Sequence, residues 1–206
     1  MSVKVKICGI TNTADAMAAA EAGADLIGLM FYEKSPRQVS VPKAVEITRA
    51  LPPFLVRVGV FVNPTEDQVW QAIGECGLNI LQFHGDETPE FCTQFGLMSM
   101  KAFRIRDADS LRGMSDYSTE AWLLDTFSAN QRGGTGERFN WDLAVEANKL
   151  GRPIFLAGGL TPENVADAVR QVQPYGVDVS SGVESTPGKK DSKKVAAFIQ
   201  AAKAAE

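Results

Sequence analysis

Along the whole chain, short runs rich in β-branched and aromatic residues alternate with runs whose apolar residues recur at helical spacing. No other feature restricts the fold as much, because parallel strands joined by crossover helices have few stable closures. The strand-like runs are Lys4–Cys8, Leu26–Phe31, Phe54–Phe61, Ile80–Phe83, Met98–Phe103, Trp122–Asp125, Ile154–Ala157 and Val177–Ser180. The runs between them carry helix signals. Thr65 with Gln68 reads as a capping box, and Val69, Ala72, Ile73 and Cys76 follow on one stripe. Thr161-Pro162 reads as a helix start ahead of Val165, Ala168, Val169 and Val172. A last stripe is Val195, Phe198, Ile199 and Ala202, while Gly23 and Gly151 stand where helices should stop. Eight repeats over 206 residues give about 26 residues per unit, near the ~30 of a βαβ unit. No linker divides the chain. The expectation is a single α/β domain over residues 1–206, a (β/α)8 TIM barrel. A doubly wound open sheet fits the same alternation.

Composition removes other classes. Twenty-one Lys and Arg against 25 Asp and Glu give a net charge of −4, which offers no footprint for nucleic acid. A hydrophobic content of 45% excludes wholesale disorder. No apolar run approaches the ~20 residues of a membrane span. The opening MSVKVKICGIT lacks the apolar stretch of a signal peptide, so the chain reads as cytoplasmic. Three cysteines, at 8, 76 and 92, make neither a disulfide framework nor a CxxC metal site. His84 is the only histidine, so a His-rich zinc site cannot be built. Acid–base work would fall to Asp, Glu, Cys or Lys.

Alternation along each strand sorts residues between the lumen and the surrounding helices. Val3, Val5 and Ile7 read as facing the helices, with Lys6 and Cys8 inward. In the third strand Val56, Val58 and Val60 read as outward and Arg57 as inward. In the sixth, Leu123 and Asp125 point inward; in the eighth, Asp178 and Ser180 do. Ionisable groups at several strand ends then converge on one mouth, the catalytic face of such barrels. Bland readings compete. A strand Cys is most often a small buried hydrophobe, and Asp125 would serve equally well as a turn residue. Cys76 and Cys92 read as packing, and His84 as a loop hydrogen-bonding residue rather than a catalyst. Glycines add a ligand. Ala157-Gly158-Gly159-Leu160 and Ser180-Ser181-Gly182-Val183-Glu184 follow the last two strands, where barrels of this kind hold phosphate on backbone N–H groups. Gly133-Gly134-Thr135-Gly136 is a third loop of the same sort.

These motifs resemble, in order from Val5 to about Lys190, the phosphoribosylanthranilate isomerase family of tryptophan biosynthesis. The segments that carry the resemblance are Lys6-Ile-Cys-Gly-Ile-Thr11, Ser35-Pro36-Arg37, Gly59-Val-Phe61, Leu81-Gln-Phe-His-Gly-Asp-Glu87 and Leu124-Asp-Thr126. Gly133–Gly136, Leu156-Ala-Gly-Gly-Leu-Thr-Pro-Glu-Asn164 and Asp178-Val-Ser-Ser-Gly-Val-Glu184 complete the set. The resemblance implies the barrel fold and an Amadori rearrangement of N-(5-phosphoribosyl)anthranilate, with no cofactor and no metal. It implies Cys8 as general base and Asp125 as general acid. Arg37 would hold the anthranilate carboxylate. Gly158, Gly159, Ser180, Ser181 and Gly182 would hold the phosphate, and Asp178 would lie near the ribose hydroxyls. The partner implied is a phosphorylated small molecule, without nucleic acid or membrane, on a monomer or homodimer.

For a carboxylic acid and a thiolate to work together near neutral pH, their pKa values must move toward each other from ~3.9 and ~8.5. Lys6, on the same face as Cys8, would lower the thiol; that idea goes beyond the family pattern. Phe83, Arg138 and Asn140-Trp141 depart from the family's habit and touch none of the implied roles. Two other readings compete: another phosphate-binding barrel enzyme of the pathway, such as indoleglycerol-phosphate synthase, and a silent barrel that senses sugar phosphates. The first usually leans on Lys and Glu; the second has no use for both Cys8 and Asp125.

Overall fold

The computed structural model describes residues 2–126 and 141–205. Eight parallel strands close into a barrel in sequence order: β1 (Lys4–Cys8), β2 (Leu26–Met30), β3 (Val56–Phe61), β4 (Ile80–Phe83), β5 (Met98–Ile105), β6 (Ala121–Thr126), β7 (Ile154–Ala157) and β8 (Gly176–Val179), with β8 pairing back to β1. The open doubly wound sheet is thereby excluded. Helices α1 (Thr13–Glu21), α2 (Val41–Ala50), α3 (Glu66–Cys76), α4 (Pro89–Thr93), α5 (Trp141–Asn148), α6 (Val165–Val172) and α7 (Ser192–Lys203) lie between or after the strands. Between β5 and β6 two 3₁₀ turns, Ala108–Leu111 and Met114–Asp116, stand in place of a helix. After β8 comes a small hairpin, β9 (Glu184–Thr186) and β10 (Lys189–Lys190), which the sequence reading did not anticipate. Among the described residues no helix is long and apolar enough to cross a membrane.

Local chemistry explains most boundaries. The box at α3 forms as read: the Gln68 N–H donates to Thr65 Oγ1 at 3.3 Å, and the Thr65 N–H donates to Gln68 Oε1 at 2.9 Å. Gly23 and Gly151 take left-handed φ just beyond their helices. The start of α6 is corrected. Thr161 and Asn164 close a turn on each other, the Thr161 N–H donating to Asn164 Oδ1 at 2.8 Å, so the helix begins only at Val165. Its stripe, Val165, Ala168, Val169 and Val172, is buried as expected, as is that of α7. Phe54 stands outside β3 and is 96% exposed.

Two apolar cores result. One lies between strands and helices and takes Val5, Ile7, Trp122, Leu124, Val177 and Val179, together with Cys76 and Cys92. The other fills the lumen with Leu26, Val58, Val60, Met100, Leu123 and Phe155 beneath Cys8. The third-strand assignment is therefore reversed: its valines face the lumen, and Arg57 lies outside with residues of α2 and α3. The cause is physical. A barrel of this size has a packed interior lined by branched aliphatics, so an apolar strand face does not distinguish lumen from helix side.

Candidate active site

At the C-terminal mouth of the barrel is a cavity of about 380 Å³. Cys8 enters from the end of β1, Asp125 from β6 and Asp178 from β8; Arg37 comes from the loop after β2. Gly158, Gly159, Ser180, Ser181 and Gly182 form the wall after β7 and β8. Every site residue expected from the sequence lines this cavity. Gly133–Gly136, Arg138 and Asn140 lie outside the described residues. Gly182 has a structural reason to be glycine: a Cβ there would sit 2.0 Å from the Leu160 carbonyl oxygen. Because α6 begins only at Val165, its first turn does not follow directly on Gly158-Gly159. The 3₁₀ turn Ser181–Val183 occupies that side instead.

The base candidate sits beside a buried ion pair. Lys6 is completely buried, and its Nζ donates to Asp178 Oδ1 at 2.8 Å. Bare Gly28 on β2, in register with Cys8, makes the room: a Cβ there would lie 2.7 Å from Cys8 Sγ and 3.1 Å from Lys6 Nζ. Burial alone would lower Lys6, but the charge of Asp178, then that of Cys8, outweigh it and hold the ammonium above its usual range. Burial pushes the Cys8 thiol up; Lys6 pulls it down, and burial prevails. The sign of the Lys6 effect is thus as expected, while the resting thiol moves up rather than down. Desolvation of a thiolate in this apolar collar is the reason.

Asp125 has a partner that sequence reasoning did not assign. His84 Nε2 lies 3.1 Å from Asp125 Oδ2, and Gln82 Nε2 lies 3.0 Å from His84 Nδ1. His84 thus bridges Gln82 and Asp125 through its two ring nitrogens. One oxygen of Asp125 is held by His84; among the described residues the other has no hydrogen-bond partner. The loop under His84 is fixed by Glu87, which is buried and accepts from the N–H of Asn63 and of Gly85, and from Lys101 Nζ at 2.7 Å. Arg104, in register with Asp125 on the neighbouring strand, also lines the mouth.

Arg37 is held in a fork. Its Nε and Nη2 each donate at 2.7 Å to the two oxygens of Glu184. Lys190 Nζ approaches Glu184 Oε1 at 2.9 Å from the other side.

Comparison with known proteins then decides the family. Residues 5–201 match the family model for N-(5'-phosphoribosyl)anthranilate (PRA) isomerase. The chain belongs to the N-(5'-phosphoribosyl)anthranilate isomerase family. It is 52% identical over 203 residues to the enzyme of that name from Trichlorobacter lovleyi, covering 98% of this chain and 99% of the relative. It is similar to the crystal structure of phosphoribosyl anthranilate isomerase from Thermotoga maritima, with a TM-score of 0.92, 42% identity, and coverage of 98% and 99%. The chain is also similar to a crystal structure of a phosphoribosyl anthranilate isomerase in complex with reduced 1-(o-carboxyphenylamino)-1-deoxyribulose 5-phosphate, with a TM-score of 0.89, 40% identity, and coverage of 98% and 99%. A further Thermotoga maritima structure is described as monomers generated from a dimeric isomerase. His84 is the hydrogen-bonding loop residue expected, while its pairing with Asp125, Gln82 behind it, and Glu184 and Lys190 behind Arg37 were not foreseen. The motifs contained them, but no spacing along the chain says who meets whom across the barrel.

Proposed function

We propose that this chain, as an N-(5'-phosphoribosyl)anthranilate isomerase, uses Cys8 as base and Asp125 as acid to turn N-(5-phospho-β-D-ribosyl)anthranilate into 1-(2-carboxyphenylamino)-1-deoxy-D-ribulose 5-phosphate. One observation carries the residue roles: a thiol, a carboxyl and a guanidinium open into one cavity together with a glycine- and serine-rich wall. The substrate carries groups that match these in kind: a carboxylate, a phosphate and, between them, the reacting carbons. Asp125 gives its proton to the furanose ring oxygen. The C1′–O bond breaks, and the nitrogen lone pair forms the Schiff base. Cys8, as thiolate, takes the proton from C2′. The enolamine then gains a proton at C1′ and loses one from the C2′ hydroxyl, leaving the ketone. Lys6 stabilises the thiolate while the thiol is ionised, and Asp178, fixed by Lys6, faces the ribose hydroxyls. The whole barrel, residues 1–206, acts as one domain.

The test of the acid is Asp125→Asn, which keeps shape and cannot deliver the proton. Loss of anthranilate fluorescence on substrate addition should slow by roughly 10²–10⁴-fold while the protein stays folded. Unchanged turnover would overturn the assignment. The chain acts as a monomer or a homodimer. The end of the barrel opposite the site favours the dimer, since it holds an apolar cavity of about 590 Å³ edged by exposed Phe54, Met98 and Tyr175. Sedimentation equilibrium should give twice 22.2 kDa; a single-chain mass at micromolar concentration would contradict the dimer.

A further inference from the structure

We infer that Glu184 is a positioning residue for substrate recognition: it holds Arg37 so that the unused edge of the guanidinium faces the carboxylate end of the cavity. This rests on the reading of Arg37 as the carboxylate clamp. A free arginine side chain loses much rotamer entropy on binding, and a guanidinium fixed beforehand loses less. Glu184 supplies that fixing. It takes Nε and one Nη2 hydrogen in a two-point fork, both at 2.7 Å, which sets the plane and roll of the guanidinium. The Nη1 group and the second Nη2 hydrogen are left for a ligand.

The arrangement is built from several directions. The Arg37 stem lies against Gly9, next to Cys8, where a Cβ would come 2.5 Å from Arg37 Cδ. The Glu184 side chain is 5% exposed, and the Lys190 side chain is 1% exposed. Lys190 Nζ bonds Glu184 Oε1 at 2.9 Å and the Ser180 carbonyl at 3.1 Å. The hairpin β9–β10 therefore connects the Arg37 fork to the Ser180 wall. Charge counting gives the purpose of Lys190. Arg37 and Glu184 alone sum to zero and would offer an incoming carboxylate little net attraction. Arg37, Glu184 and Lys190 together carry one positive charge, which one carboxylate neutralises. A low-dielectric setting makes that residual charge count.

The experiment compares two ligands on four proteins. The ligands are the reduced product analogue with its carboxyl group and the same molecule with a plain phenyl ring. The proteins are wild type, Arg37→Ala, Glu184→Gln and the double variant, with kcat and KM measured alongside both dissociation constants. Glu184→Gln should weaken the carboxyl-bearing ligand roughly 10-fold or more, because loss of the two-point fork outweighs the extra attraction of the uncompensated positive charge. It should raise KM more than it lowers kcat, and leave the phenyl ligand within about threefold. In the Arg37→Ala background the same substitution should add nothing, because there is no guanidinium to position. Glu184→Asp, which keeps the charge but shortens the reach, should fall between wild type and Glu184→Gln and serves if the amide variant folds poorly. Equal weakening of both ligands by Glu184→Gln, or a full further loss in the double variant, would mean that Glu184 only supports the loop. If Arg37→Ala itself treats the two ligands alike, the clamp reading fails, and this inference fails with it.

Discussion

Cys8, Lys6 and Asp178 illustrate what single residues disclose. That Cys8 and Lys6 share a strand face follows from alternation alone, and the strand register then brings Lys6 opposite Asp178. What sequence could not weigh is desolvation, which depends on how tightly the collar of Leu26, Phe155 and Ala157 closes. Burial drives the thiol up more than Lys6 draws it down. The base must be ionised, so activity should climb with pH through a range above that of an ordinary thiol, ~8.5. Lys6, Lys190 and Arg37 favour the thiolate, and Asp178 opposes it. Lys6→Met removes the strongest favourable charge and leaves Asp178 without its ion-pair partner. The alkaline-rising limb of kcat/KM should then move further up and the rate at neutral pH should fall. A limb that stays in place or moves down would show that Lys6 does not serve the thiolate.

At the scale of elements, legibility depended on whether a signal is local. The capping box at α3 and the stripes of α6 and α7 are near-neighbour patterns, and they form as read. The 3₁₀ turns between β5 and β6, and the β9–β10 hairpin, had no period to announce them. The loop from Phe83 to Glu87 is a third case. Its motif was conspicuous, yet its anchor is a buried pair across strands, with Lys101 on β5 holding Glu87 at 2.7 Å. Removing one partner of such a pair leaves an uncompensated buried charge, worth about 3–5 kcal/mol. Lys101→Met should lower the unfolding free energy from urea titration by that amount, seen as a lower midpoint with an unchanged slope. Because His84 and Gly85 ride on the same loop, it should also slow turnover in the fraction that remains folded. A loss under 1 kcal/mol, read from the same melts, would contradict the anchoring role.

Across the molecule, eightfold alternation left the barrel and an open doubly wound sheet both standing, and the resemblance of ordered motifs named the family and, with it, the barrel. The inside of the barrel was less legible. The valines of β3 pack the lumen although their pattern fits either face, because both faces of a barrel strand are buried. The mouth was legible as a set of strand-end residues, but its pairings, His84 with Asp125 and Glu184 with Arg37, needed closure of the barrel to exist. The central claim is that Cys8 removes the C2′ proton in that mouth. It is tested most directly by single-turnover conversion of N-(5-phosphoribosyl)anthranilate by Cys8→Ala, with the dissociation constant of the reduced product analogue measured on the same sample. Turnover should fall by roughly 10²–10⁴-fold while binding stays within about threefold, since proton abstraction belongs to the transition state alone. Near-wild-type turnover by Cys8→Ala would contradict it.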